Sequence, residues 1–96
     1  MDFIWDEDKN DWLKTERFIS FEEIVERIQA HQYRQIIENP AKPSQRCFIL
    51  PIREYTWVVP FVFDEKERIV LKTAYPSRKF HRLYGGEPNH DRNETD

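Results

Sequence analysis

Cysteine is almost missing from this chain. Cys47 stands alone, which excludes an intramolecular disulfide and any cysteine-based zinc site. Within "RCFIL" it reads as a small buried apolar residue rather than a nucleophile. Glycine is nearly as scarce. The only two, Gly85 and Gly86, are adjacent, so there is no G-x-G-x-x-G and no P-loop. His31, His81 and His90 are far apart and form no H-x-x-x-H pattern, so neither a metal nor another cofactor is expected. Long apolar runs are absent too. The longest covers residues 57–63 and contains Pro60, far short of the roughly 20 residues that span a bilayer. The opening "MDFIWDEDKN" is acidic and has no apolar h-region, so no secretory signal is expected. The simplest expectation is a cytoplasmic protein with one domain over residues 1–86 and a polar, disordered tail over 87–96.

Large aromatic side chains are plentiful: seven Phe, four Tyr and three Trp in 96 residues. A small core can be built from them. Charge is also plentiful, and unevenly placed. Residues 1–30 hold nine acids and four bases, a net of −5; residues 66–84 hold six bases and one acid, a net of +5. An acidic chain therefore gathers its cations in "LKTAYPSRKFHRLYG". Such a patch attracts phosphate, although a solvated strand and helix would also carry it.

The pattern along the chain predicts an α+β fold. "FIW" is a short first strand. Asp6 caps a helix over 7–16, with Glu7 and Asp8 in its first turn, and Trp12 and Leu13 facing the core. Ser20 and Glu23 form a capping box, with Ile19 stapled to Ile24. Phe21, Ile24, Val25 and Ile28 then make one apolar face of a helix over 20–31. A short strand is expected at 33–38, followed by a loop at Asn39, Pro40, Pro43 and Ser44. "RCFILPIR" and "YTWVVPFVF" read as a hairpin turning at Arg53 and Glu54. Pro51 and Pro60 are expected at an edge, a bulge or a strand end. "RIVLKTAY" reads as one further strand, with Ile69, Leu71, Thr73 and Tyr75 on one face and Val70, Lys72 and Ala74 on the other. Pro76 ends it, Ser77 caps a helix over 78–84, and Gly85 and Gly86 stop that helix. The expected architecture is two N-terminal helices on a three- to four-stranded antiparallel sheet, with a short C-terminal helix.

That last helix places Arg78, His81 and Arg82 on one face, at i, i+3 and i+4. Phe80, Leu83 and Tyr84 form the neighbouring apolar face. Lys72 comes from the preceding strand. RNA cleavage needs no metal: the 2′-hydroxyl attacks its own phosphate. The protein holds the nucleotide in line, stabilises charge on the phosphoryl oxygens and moves protons. Arginine suits the second task. Lys72, if neighbouring cations crowd it, or His81, as an imidazole able both to take and to give a proton, suits the third. Tyr55, Tyr75 or Trp57 offers a ring for a base. The tyrosines read equally as core residues, and for Trp57 the core reading is preferred.

The stretches "FIWDEDKNDWLKTERFISFEE" and "YTWVVPFVFDEKERIVLKTAYPSRKFHRLY" resemble the BrnT-like toxins, ribonuclease toxins of type II toxin–antitoxin modules. Trp5, Asp6, Lys9, Ile19, Ser20, Phe21, Glu22 and Glu23 match the first family pattern, and Arg78 matches an arginine at the start of the last helix. The form is that of a divergent branch. Glu16-Arg17-Phe18 stands where better-known members carry Lys-His-Gly, and Pro76-Ser77-Arg78 where they read S-A-R. The resemblance implies a RelE-like architecture and a metal-independent endoribonuclease that cleaves mRNA and arrests translation and growth. It carries a catalytic role to Arg78, then to Lys72, Arg82 and Tyr84; the basic strand–turn–helix itself adds His81 as a catalytic proton carrier and Lys79, Arg68 and Tyr75 as RNA-binding residues. It implies a cognate antitoxin, a small dimeric DNA-binding protein, through which alone promoter DNA is bound. The alternative is a non-catalytic RNA- or protein-binding module of the same fold. A third reading is a small interaction protein that uses exposed aromatics.

Overall fold

The computed structural model describes residues 1–85; Gly86 and the expected polar tail at 87–96 lie outside the described residues. The chain runs β1 (Phe3–Ile4), α1 (Glu7–Glu16), α2 (Phe21–Gln29), β2 (Gln35–Glu38), β3 (Arg46–Ile52), β4 (Tyr55–Phe63), β5 (Ile69–Leu71), β6 (Tyr75–Pro76) and α3 (Arg78–Tyr84). It is an α+β fold. The sheet is larger and less regular than the sequence suggests: six strands in the order β1-β5-β4-β3-β2, with β6 also pairing β4. All pairings are antiparallel except β1 with β5, which is parallel. Among the described residues no helix is long and apolar enough to cross a membrane.

The helix starts follow the local chemistry. Asp6 accepts from the Asp8 amide at 3.2 Å, Ser20 from Glu23 at 3.1 Å and Ser77 from Phe80 at 3.1 Å. Each satisfies an amide that has no partner inside the helix. The two-residue turn between β3 and β4 puts Arg53 and Glu54 at φ 51° and 64°, the left-handed pair that matches strand twist in a tight hairpin.

The sheet has two covered faces. On one, Leu13, Ile19, Phe21, Ile24 and Ile28 from the N-terminal helices and their link pack on Phe48, Leu50, Trp57, Val59, Phe61 and Leu71. On the other, α3 lays Phe80 and Tyr84 on Cys47, Ile49 and Val58. The strand alternation of period two assigns these sets. Trp12 departs from its expected place. It is 41% exposed, with Lys9 Nζ 4.5 Å and Arg17 Cζ 4.7 Å from its ring centroid. Those cations hold the indole at the surface, and Leu13 alone takes the core position.

Pro60 also departs from expectation. It sits inside β4, buried, opposite Cys47. Its carbonyl accepts from the Lys72 amide at 2.9 Å, on the side of the sheet where β5 and β6 pair. In an antiparallel ladder a residue's N–H and C=O point to the same side. The missing proline donor therefore faces the β5–β6 side alone and leaves the β3 ladder intact. It coincides with a gap: β5 ends at Leu71, and pairing resumes at Tyr75. The single strand expected over "RIVLKTAY" is thus two strands with a three-residue link. The link resets the alternation. Ala74 joins Ile69 and Leu71 in the larger core, and Tyr75 turns to the α3 face.

Candidate functional site

Two buried polar contacts fix the frame. Asn10, fully buried, accepts from the Phe21 amide at 2.8 Å and donates to Glu22 at 2.9 Å. It ties α1 to α2. Arg17, just past α1, donates to the Ala74 carbonyl and so ties the N-terminal layer to the link that leads into β6. Neither role is visible in sequence: Asn10 is a polar residue inside a predicted helix, and Arg17 follows that helix with nothing to indicate a partner 57 residues on.

The β3–β4 hairpin and α3 meet at one end of the sheet. Ser77 follows β6, and its amide donates to the Thr56 carbonyl at 3.0 Å. This starts α3 beside the base of the hairpin. Arg78 is the first helical residue; it is exposed, and with Tyr55 and Pro76 it lines an open depression. His81, one turn on, packs against the other side of the same tyrosine's surroundings. The His81 and Tyr55 rings stack at 4.2 Å between centroids and 23° between planes. His81 Nδ1 lies 2.9 Å from Thr56 Oγ1. His81 is therefore half-buried in a fixed position, not on the free face with Arg78 and Arg82 that its spacing suggests.

The other expected residues are placed as follows. Arg82 and Lys79 are exposed on α3, and the Lys79 ammonium sits 5.4 Å from the Phe80 ring centroid. Tyr84 stacks on Phe80 at 6.1 Å and packs on the smaller core. Leu83, expected to dock with them, is 63% exposed; the docked face of α3 runs through Phe80, His81 and Tyr84 instead. Tyr75 is half-buried opposite Val58, and burial together with Cys47 raises its hydroxyl pKa above the ordinary value. Lys72 is exposed. Its backbone lies at the level of Pro60, whereas Ser77 lies at Thr56. Four residues of strand separate those levels, about 13 Å. Arg68 is at the opposite end of β4, its Nε 2.7 Å from Asp64 Oδ2 in the β4–β5 turn. Trp57, offered above as a possible base platform, is a core residue.

The electrostatics separate these groups further. The ion pairs among the described residues are Arg27–Glu23, Arg53–Glu23 and Arg68–Asp64. Lys72, Arg78, Lys79 and Arg82 take no part in them. The site thus gathers Arg78, His81 and Tyr55, flanked by Lys79 and Arg82. It leaves Lys72 one step away and Arg68 apart. No group of three or more potential metal ligands comes together among the described residues. An apolar cleft of about 470 Å³ between Phe3, Ile28, Ile36, Phe48, Phe61 and Phe63 lies elsewhere, against the larger core. Sequence reading missed Thr56 and Gly85 as neighbours of His81. The only available signal for Thr56 was its alternation with Trp57, which puts it on the α3 face.

Comparisons with protein-family models, with curated proteins and with solved structures find no match to this chain.

Proposed function

We propose that the protein is a metal-independent endoribonuclease toxin of a type II toxin–antitoxin system, a divergent BrnT-like member with RelE-like architecture. The observation that carries the reading is the shared placement of Arg78 and His81 around Tyr55: a guanidinium in no ion pair among the described residues and a fixed imidazole at one end of the sheet. Arg78 supplies bidentate donors to the scissile phosphate and to the charge that builds on it during 2′-hydroxyl attack. Arg82 and Lys79 add positive potential. His81 carries a proton between the reacting oxygens and solvent. Tyr84 is the alternative carrier, although its ring is committed to the Phe80 stack. Lys72, one step along β4, suits a neighbouring phosphate of the same strand. The α3 amides are not needed for this, since Ser77 already takes one of them. A small dimeric DNA-binding antitoxin would neutralise the protein by covering this end, and promoter DNA would be reached only through it.

Expression of the wild type and of Arg78→Ala from a tightly controlled promoter tests the reading, with growth and RNA 5′ ends followed together. Growth arrest and new ends carrying 2′,3′-cyclic phosphate partners are expected for the wild type. Arg78→Ala is expected to lose about 10²- to 10³-fold in cleavage rate, as removal of one oxyanion donor does elsewhere. Undiminished cleavage by Arg78→Ala would remove it from the site. The second reading, a binding module, draws on Lys72 lying apart from Arg78, which leaves His81 as the one well-placed proton carrier. RNA binding without cleavage by folded wild-type protein would establish that reading.

A further inference from the structure

A second recess adjoins His81, on the side away from Arg78. It encloses about 350 Å³ where the approach to β2, the β3–β4 turn and the end of α3 converge, and its walls include Arg34, Glu54, Tyr55, Thr56, His81 and Gly85. We infer that this recess is the seat of one nucleotide unit of the RNA, and that Thr56 is the positioning residue for the imidazole that faces it. The inference rests on the ribonuclease reading and adds a subsite to it.

The imidazole is held from three sides. Tyr55 covers one ring face at 4.2 Å, and Thr56 Oγ1 engages Nδ1 at 2.9 Å. Gly85 closes the third. Its φ is −86°, open to any residue, so the glycine is not there for backbone freedom. It is there for space: a Cβ at Gly85 would lie 2.2 Å from His81 Nδ1 and 2.6 Å from Cε1. The ring cannot swing or flip without displacing one of these neighbours. Because Nδ1 is committed to Thr56, Nε2 is the ring nitrogen left for a ligand. The Thr56 hydroxyl can donate to Nδ1 or accept from it, so the bond fixes the orientation of the ring.

The walls carry complementary chemistry for a nucleoside monophosphate. Arg34 is exposed and takes part in no ion pair among the described residues. Its backbone is pinned by an N–H bond to the Ile49 carbonyl at 2.7 Å. A guanidinium so placed suits a phosphate. Glu54 is held by the tight turn at φ 64°; its carboxylate accepts from a ribose hydroxyl or an exocyclic amine and repels a second phosphate. A cation and an anion in the same lining favour a ligand with both an anionic and a donor end over a bare anion. The volume sits at the low end for small-molecule sites, which suits one nucleotide and not two.

Isotope-labelled full-length protein, titrated with uridine 3′-monophosphate and separately with inorganic phosphate and with uridine, tests the subsite by NMR. Saturable shifts centred on Glu54, Tyr55 and His81 are expected for the nucleotide, with about tenfold or greater weakening in Arg34→Ala and weaker binding of either fragment alone. Cross-relaxation between the His81 and Tyr55 rings is expected to report one ring orientation in the wild type, its loss in Thr56→Val and its restoration in Thr56→Ser. Shifts centred elsewhere, unchanged affinity in Arg34→Ala, or an unchanged His81 ring orientation in folded Thr56→Val would overturn the inference. Nucleotide binding here without RNA cleavage would end the ribonuclease reading and keep the subsite. Cleavage at full rate by Arg34→Ala would do the reverse.

Discussion

Asn10 is a single amide that joins two helices. Its removal in Asn10→Ala leaves the buried Phe21 N–H without a partner, at a cost of about 1–3 kcal/mol. For a domain of this size each kilocalorie lowers Tm by about 4–8 °C, so thermal unfolding checks it directly. The same residue has a pH signature. The Asn10 hydrogen bond is the first cause that holds the Glu22 carboxyl below its usual range. A depressed carboxyl stabilises the fold above its unfolded pKa, and that contribution is lost as pH falls through the folded value. Asn10→Ala is therefore expected to flatten the acid limb of the stability curve. Cys47 acts at the other extreme. Burial pushes its thiol from 9.0 up to about 11. The folded chain keeps the proton after the unfolded chain has lost it, so this contribution is full below pH 9 and lost as pH rises toward 11. At pH 8, alkylation of Cys47 is expected to proceed only as fast as the fold opens; rapid labelling of native protein would contradict its burial. The sequence made Cys47 legible as a buried apolar residue. It gave no sign of Asn10, since a polar residue one turn into an amphipathic helix looks like surface.

Local elements were the most readable level, because caps and turns are written in a few adjacent residues. All three helix starts lie at the residues that the capping chemistry names. The β3–β4 turn likewise falls between two β-branched and aromatic runs. The Ser77 cap supports the shortest helix, and it predicts a local effect. Ser77→Ala is expected to cost about 1 kcal/mol and to speed amide exchange in α3 more than in the sheet, as measured by hydrogen exchange. Glu67 offers the opposite change. It sits at φ 62° in the β4–β5 turn, its amide bonded to the Asp64 carbonyl at 3.0 Å. A left-handed conformation costs a non-glycine residue about 1–2 kcal/mol, so Glu67→Gly is expected to raise Tm in thermal unfolding. Pro60 shows where element-level reading fails. A proline's missing donor matters only on the side it faces, and that side is set by which strands flank it. The split of β5 from β6 is therefore a property of the assembled sheet and not of "RIVLKTAY".

At the scale of the whole molecule, the charge gradient along the chain becomes a difference between places. The cations of residues 66–84 do not form one patch: Arg68 is neutralised at one end of β4, whereas Arg78, Lys79 and Arg82 cluster at the other. The basic stretch was legible as a concentration of cations; its division was not, because linear spacing says nothing about which turn closes on which acid. Salt dependence separates the groups. If three α3 cations contact phosphates, the slope of log K against log salt for single-stranded RNA is expected to be about −2. Arg82→Ala should lower its magnitude by about 0.7, and Arg68→Ala should leave it unchanged.

The parallel pairing of β1 with β5 has a consequence in time. Phe3 and Ile4 meet Ile69 and Val70, so during synthesis these two residues have no sheet partner until some sixty-six more have been made. Contacts of such long sequence separation close late in folding. The Arg17 bond to Ala74 spans a similar interval. A growing chain therefore carries its N-terminal helices as an unfinished cover, and the end of the sheet that bears Arg78 and His81 is assembled last.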